Sequence, residues 1–359
     1  MIDLSLLADG GIGWIDASGP SGALVLSTRI RLARNVAGRP FATRSSAADR
    51  EALVEAVAGA VAGTASLGQA AAFRLDRLEA RDRVLLHERH LVSRELAGLG
   101  SEGVPVGAGL LVQGRIGAMV NEEDHLRLQG VVSGFALEAA YAEVDRLDSE
   151  LGQRLAYAFH PEFGYLTACP TNVGTGLRAS VLIHLPGLVL TKEISKVLHG
   201  LTQVGLAVRG LYGEGSEVVG NFFQLSNQTT LGKSERDLLD HLGKMVREVM
   251  TYEEEARAVL LRDARGVMED KVWRAYGLLR HARALSIEET MNLLSGVRLG
   301  VGLQLIPDVG LYALNKMLVH TQPAHLASAH GVALDDPSLA ARRADYVRGV
   351  LHDEGRRAG

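Results

Sequence analysis

The sequence predicts an α+β protein: an antiparallel β-sheet flanked by helices, followed by an all-α C-terminal domain. Three observations carry this prediction. Strand-like segments recur up to about residue 228, one pair of them around a glycine at Gly114 that reads as a hairpin. Beyond Asp263 every periodic segment is helical and the strands stop. Finally, 359 residues are long for one hydrophobic core and comfortable for a large domain plus a smaller one. The boundary is placed near Asp263 to Gly266, dividing the chain into 1–263 and 264–359.

In chain order, “ALVLSTRIRLARN” reads as a strand from Ala23 to Leu26 running into an arginine-studded segment. An Ala-rich helix is predicted from Asp49 to about Gly63, and “RDRVLLHERHLVSRELA” is a second helical segment. “GLLVQGRIGAMVNEEDHLRLQG” alternates, so its second arm carries the acidic cluster, with Leu126 and Leu128 on one face and His125, Arg127 and Gln129 on the other. A helix follows from Gly134 to about Leu151, then the strand “RASVLIHLPGL” and a helix opened by Thr191 that runs to about Gln203. “GLAVRGLYGEGSE” is a strand entering a Gly-rich loop, and “GNFFQLSNQ” is another strand. Ser234 to Asp237 is a capping-box pattern ahead of a long helix ending near Arg262. Helices are predicted at Asp270 to Ala284, Ser286 to Leu294, Val309 to Val319, Pro323 to His330 and Pro337 to Asp353.

Composition excludes several functions. A net charge of −4 leaves no nucleic-acid footprint, and no apolar run approaches the ~20 residues of a membrane span. One cysteine permits no internal disulfide, and the N-terminus lacks a signal-peptide pattern, so a cytoplasmic location is expected. Nearly all positive charge is arginine, which a GC-rich genome or a need for bidentate phosphate binding would each explain. The P-loop, the dinucleotide fingerprint, zinc-ligand spacings and Gly-x-Ser-x-Gly are all absent.

What remains is arginine beside acid. Arg29 and Arg31 share a strand face; Glu122, Glu123, Asp124 and Arg127 lie in “NEEDHLR”; Cys169 and Arg178 flank Gly174-Thr175-Gly176; Arg209 precedes Glu214 in “VRGLYGEG”. Singly, each charge reads as a solvated surface group. Together, next to glycine-bounded strands, they read as a site. Glu122 and Asp124 fit hydrogen bonds within their turn or support of Arg127, and Cys169 fits either a buried core position or a thiol whose cationic surroundings favour the thiolate.

“STRIRLARN”, “NEEDHLR”, “CPTNVGTGLRAS” and “VRGLYGEGSE” resemble, in order, the signature of the ATP:guanido phosphotransferases, the arginine and creatine kinase family, over roughly Ala23 to Arg262. “HLVSRELAG”, “GYLTACPTNVGTGLRASVLIHLP”, “SNQTTLGKSERD” and “LLSGVRLGVGLQLI” resemble more closely the McsB-type protein arginine kinases of bacteria. The resemblance implies a glutamine synthetase/guanido kinase-like catalytic domain. It implies that Arg29, Arg31, Arg127, Arg178 and Arg209, with Ser27 and His125, bind ATP, and that Mg2+ arrives on the nucleotide rather than on a protein metal site. It implies that Glu123 and Glu214 hold the acceptor guanidinium, Glu123 as base, with Cys169 and Asn172 beside it. A phosphohistidine at His125 is the less economical alternative, because direct transfer between held substrates needs no relay.

Two features separate a protein acceptor from free arginine. Small-guanidine kinases of the family carry a helical domain before the “STRIR” strand, whereas 28 residues precede Arg29; and about ninety residues of helical pattern follow Arg262. Both favour protein substrates with exposed arginine, marked for Clp-type degradation in a stress response. Implied partners are an activator protein, a Clp-type chaperone–protease and a second copy in a homodimer. An Arg-Asp pair expected before “RRA” is replaced by Leu339-Ala340, which leaves phosphoarginine sensing by the C-terminal domain unsupported. A free-arginine kinase of reduced architecture and a noncatalytic adaptor are the rival classes.

Overall fold

A computed structural model describes residues 3–7, 11–100, 103–211 and 218–358. Its centre is an eight-stranded antiparallel sheet. The strands are β1 (Val25–Arg34), β2 (Ala71–Arg74), β3 (Gly109–Gln113), β4 (Ile116–Val120), β5 (Leu126–Ser133), β8 (Leu177–His184), β9 (Leu206–Arg209) and β10 (Phe222–Asn227), in the order β2-β3-β4-β5-β1-β8-β10-β9. A separate two-stranded ribbon joins β6 (Phe159–His160) to β7 (Gly164–Tyr165).

Period-two alternation assigns each strand residue to a face. Ile30 and Leu32 of β1, Leu126 and Leu128 of β5, Leu177 and Ala179 of β8 and Leu225 of β10 lie in one core. That core is closed by α1 (Ala47–Ala62), α3 (Leu137–Gly152) and α6 (Glu235–Asp263) through Val57, Val144 and Val246. Each fully buried aliphatic side chain contributes ~1.5–3 kcal/mol, so a one-residue slip in register, which would turn all of them out, is strongly disfavoured. The register therefore also decides where the intervening polar residues point: to the opposite face.

One arginine of “STRIRLAR” goes the other way. Arg34, three residues after Arg31, lies on the helix side, where Nε and Nη2 donate to Asp148 of α3 at 2.6–3.1 Å and Nη1 donates to Thr175 O at 2.9 Å. Its guanidinium also stacks 3.5 Å from the Tyr165 ring centroid. Arg34 is a structural bolt between β1, α3 and the Gly-Thr-Gly segment. That segment is a backbone crossing: a Cβ on Gly174 would meet Thr230 O at 2.4 Å, and one on Gly176 would meet Ala33 O at 2.6 Å. Both glycines have positive φ, and Ala33 N donates to Gly176 O at 3.0 Å. Glycine is required there for the entry into β8, not to cradle phosphate.

The remaining helices are α2 (Ala80–Glu88), α4 (Pro186–Leu190), α5 (Ile194–Gln203), α7 (Arg265–His281), α8 (Ile287–Gly302), α9 (Leu311–His320), α10 (Pro323–His330) and α11 (Leu339–Ala358). Residues of α7, α8, α9 and α11 form a second core with Leu26, Leu182 and Phe222 of the sheet. The helical segments thus cover one end of the polar sheet face and leave the other end open. Ser234 caps α6 with a reciprocal bond to Asp237, as its capping-box pattern predicts.

Several predicted elements shift. β1 continues through Arg34 instead of ending at Leu26. The acidic cluster lies in the turn between β4 and β5, not in a hairpin arm, because Asn121 takes a left-handed φ of 57° and its N–H donates to His125 O to close the turn. The helix predicted through Ala97 stops at Glu88, where the chain reverses so that Leu91, Val92 and Leu96 can enter a third core. Residues Pro186 to Leu190, predicted as strand end, form α4 with Thr191 as its C-cap, and the next helix begins only at Ile194 instead of at Thr191.

Removing one partner of the Arg34–Asp148 pair leaves a buried charge uncompensated. Asp148→Ala is expected to lower unfolding free energy by about 3–5 kcal/mol in urea titration; a loss under about 1 kcal/mol would contradict the bolt.

Candidate active site

The polar face of the central strands carries the arginines. Arg31 stands opposite Arg178 of β8 and Gln129 of β5, Ala33 opposite Arg127, and Gln224 of β10 opposite Arg209 of β9. Arg29 Nη2 donates to Gln224 Oε1 at 3.2 Å. All five arginines line a cavity of about 1010 Å³, as do Glu123, Cys169 and Asn172. The predicted ATP arginines are therefore gathered in one place, although they come from four strands.

Gathering them is costly. Burial, then Arg127 and Arg178, push Arg29 down to about 10. Burial, then Arg29, Arg127 and Arg178, push Arg31 well below its ordinary value, with Glu122 in partial opposition. Arg127 differs: burial would lower it, but Glu122, Glu123, Asp124 and Glu95 outweigh burial and hold it above the ordinary value.

The three acids of “NEEDHLR” do three different things. Glu122, buried, accepts from Arg127 Nη1 at 2.8 Å; burial lifts its carboxyl and Arg127 opposes the lift. Glu123 accepts from Arg127 Nη2 at 3.2 Å, yet its side chain is 43% exposed and faces the cavity. Asp124, fully buried, accepts from Asn35 Nδ2 at 2.6 Å and from the Ala168 amide at 2.7 Å. It ties the acidic turn to the segment that bears Cys169. Of these three acids, only Glu123 has the exposure to meet an acceptor.

Cys169, partly buried, begins the short 3-10 turn Pro170–Asn172, its Sγ 3.0 Å from Thr171 Oγ1. Two predicted ATP residues are not at the cavity. His125 lies just ahead of β5 and is buried, with Nδ1 accepting from Val36 N at 2.9 Å and Nε2 2.9 Å from Pro40 O. Both ring nitrogens are engaged in shaping the chain after β1, so it neither faces with Arg127 nor offers a nitrogen to phosphate. Ser27 is buried in β1 and also does not line the cavity. Glu214 lies outside the described residues.

His87 and His90 line the cavity and were not singled out by sequence. Burial lowers both below the ordinary histidine range, with Arg29 adding to the effect, so both are neutral beside the arginines. The available signal was a pair of histidines three apart at the end of an apolar helical run.

A cluster of arginines suits a polyanion, and an exposed carboxylate in the same cavity can meet a cation. Residues 52–256 match the family described as “ATP:guanido phosphotransferase, C-terminal catalytic domain”, and the chain belongs to that family. Residues 265–358 match the “Protein-arginine kinase McsB C-terminal domain”. The protein-arginine kinase of Symbiobacterium thermophilum is 45% identical over 94% of this chain and 96% of its own length. That of Moorella thermoacetica is 43% identical over 94% and 97%. Within the family the chain stands with the protein-arginine kinases, as an ATP-dependent guanidino phosphotransferase.

Among solved structures, the duplicated taurocyamine kinase of Schistosoma mansoni with bound transition-state-analogue components superposes with a TM-score of 0.60 at 29% identity, over 71% of this chain and 35% of that one. Lombricine kinase superposes with a TM-score of 0.58 at 25% identity, over 71% of each chain.

Because Arg31's charge is opposed by burial and by three neighbouring arginines, Arg31→Met is expected to stabilise the nucleotide-free protein by on the order of 1 kcal/mol, read as a higher urea midpoint. A lower midpoint would show that repulsion does not dominate there.

Proposed function

We propose that the chain transfers the γ-phosphate of ATP to arginine side chains presented on proteins, with the phosphates on Arg29, Arg31, Arg127, Arg178 and Arg209 and the acceptor guanidinium at Glu123, Cys169 and Asn172. The observation that carries this reading is that one cavity is lined both by the arginine cluster and by two adjacent carboxylates, Glu123 half-exposed and Glu122 buried. Phosphoryl transfer is catalysed mainly by positioning and by charge stabilisation, and five guanidiniums match the roughly four negative charges of ATP. Mg2+ enters on the nucleotide and neutralises its phosphates. Among the described residues, no group of three or more His, Cys, Asp or Glu is placed to hold a metal ion.

The acceptor side follows from the chemistry of the nucleophile. A guanidinium with pKa above ~12 is neutral in fewer than about one molecule in 10⁵ at pH 7, a penalty of at least ~7 kcal/mol. A carboxylate cannot remove that proton fully in the ground state, so proton transfer accompanies P–N bond formation as the nitrogen acidifies. Glu123 is the base in this reading, with Glu214 as its partner on the guanidinium fork. Glu122 holds Arg127 from the buried side, and Glu123, in longer contact with the same guanidinium, keeps an exposed side chain for the acceptor.

Three considerations favour a protein acceptor. The relatives similar over nearly the full chain are protein-arginine kinases, and residues 265–358 resemble a domain of those enzymes. Glu123, in the cavity that Cys169 and Asn172 also line, keeps 43% of its side chain exposed. We take 1–263 as the catalytic domain and 264–359 as a helical domain for dimerisation and substrate docking. An activator protein, a Clp-type chaperone–protease that consumes the marked proteins, a homodimeric state and a cytoplasmic location complete the proposal. No helix among the described residues is long and apolar enough to cross a membrane.

Incubation with Mg-ATP, casein and free arginine, read by mass spectrometry for acid-labile phosphoarginine, is expected to label casein; label on free arginine alone would defeat the protein-acceptor reading. Glu123→Gln is expected to lose about 10²–10⁴ in rate while keeping the rise in melting temperature on adding Mg-ATP. Retained activity would remove Glu123 as base, and loss of the thermal shift would place it in nucleotide binding instead.

A further inference from the structure

α2 ends at Glu88, and the chain then reverses through Arg89 and His90. His90 has a φ of 61°, in the left-handed region that residues with a Cβ rarely occupy. His87, His90, Val92 and Ser93 of this reversal line the cavity, so whatever holds the reversal holds that wall.

It is held from three sides. Trp14 Nε1 donates to Arg89 O at 3.3 Å. Gln129, on the arginine face of β5, donates from Nε2 to His90 O at 3.2 Å and Leu91 O at 2.9 Å. The third hold comes from the C-terminal helices. The buried carboxylate of Glu88 accepts from the Ala324 amide at 2.8 Å through Oε1, and from the His325 amide at 3.0 Å and His325 Nδ1 at 2.8 Å through Oε2. Those amides open α10, whose N-cap residue Gln322 gives no side-chain cap. Glu88 supplies the cap from 236 residues away. A carboxylate suits a helix N-terminus by hydrogen bonding and by dipole. Burial, with Arg89 nearby, pushes His325 down to about 3, so a neutral imidazole donates the third bond. Around the clamp, Ala324 shares a core with Leu85, Leu86 and Leu91.

We propose that Glu88 is a positioning residue of the nucleotide site: by capping α10 it fixes the reversal from Glu88 to Ser93 and ties the C-terminal helices to the segment that forms one cavity wall. Glu88 itself does not line the cavity. Without the clamp, the left-handed conformation at His90 loses one of its constraints, and the wall beside Arg29 and Arg31 relaxes. The inference rests on the reading of those arginines as the phosphate-binding groups, and its test is arranged to separate the two.

The test is steady-state kinetics of the full chain with casein and varied Mg-ATP, alongside thermal melts, for Glu88→Gln, His325→Ala, Leu85→Ala and Arg31→Ala. Burial pushes Glu88 up to about 7, with the Ala324 and His325 amides opposing the rise; Glu88→Gln keeps the side-chain size but replaces an accepting oxygen with an N–H turned toward the helix amides. It is expected to raise KM for ATP about tenfold with kcat within about twofold, and His325→Ala to raise it about two- to threefold. Leu85→Ala, which weakens the same core without touching the clamp, is expected to lower the melting temperature and leave KM unchanged well below its melt. A Glu88→Gln protein that melts lower but keeps its KM overturns the proposal, as does a KM rise equal to that of Leu85→Ala. If Glu88→Gln does not fold, an unchanged KM in His325→Ala overturns it. An Arg31→Ala effect on KM together with a silent Glu88→Gln defeats only this inference; no effect of Arg31→Ala defeats the phosphate-site reading on which it rests.

Discussion

Guanidinium groups brought together on one sheet face repel one another, and this is the constraint on which the rest of the structure depends. Two unit charges about 6 Å apart at an effective dielectric near 20 repel by roughly 3 kcal/mol. Arg29, Arg31, Arg127 and Arg178 act on each other in this way, and the lowered values of Arg29 and Arg31 record it. Such a cluster persists only on a scaffold that cannot yield. The sheet is that scaffold: its register is locked by an aliphatic core on the opposite face, and the arginines occupy alternate positions of the same strands. A loop carrying the same side chains would splay them into water.

The other charges near the site are arranged around that constraint. Arg34 is removed from the cluster by its place in the alternation and is spent on Asp148 beneath the sheet. Glu122 offsets one arginine from the buried side, and Asp124 fastens the acidic turn to the cysteine segment. The result is a cavity with cationic depth and an acidic edge, suited to an anionic donor and a cationic acceptor at once. The C-terminal helices close the far end of the same sheet face through Leu26, Leu182 and Phe222, and also reach the cavity wall through Glu88. They are packed into the sheet rather than hung from it.

Much of this was legible in the chain because it follows from periodicity. Alternation alone placed Arg29 with Arg31, and capping patterns located the start of α6. The helical pattern of the segments beyond Asp263 was equally plain. What could not be read was the division of labour within clusters of like residues. Glu122, Glu123 and Asp124 are adjacent acids, and only the left-handed turn at Asn121 makes one exposed, one buried against Arg127 and one a tie to Ala168. His125 matched its motif, but contacts with Val36 and Pro40, set by how the chain leaves β1, turned it away from the cavity. The Glu88 clamp joins residues 236 apart, a distance over which no local pattern operates. Gly174 and Gly176 answer to backbone crowding at the entry into β8, not to a ligand.

The central claim is that the arginine face is a phosphate site. Its most direct test is calorimetric titration of the full chain with Mg-ATP, magnesium tripolyphosphate and adenosine in the same buffer. The account predicts that tripolyphosphate competes with ATP and retains most of its binding free energy, while adenosine binds far more weakly. Adenosine binding as tightly as ATP, with tripolyphosphate unable to compete, would contradict it.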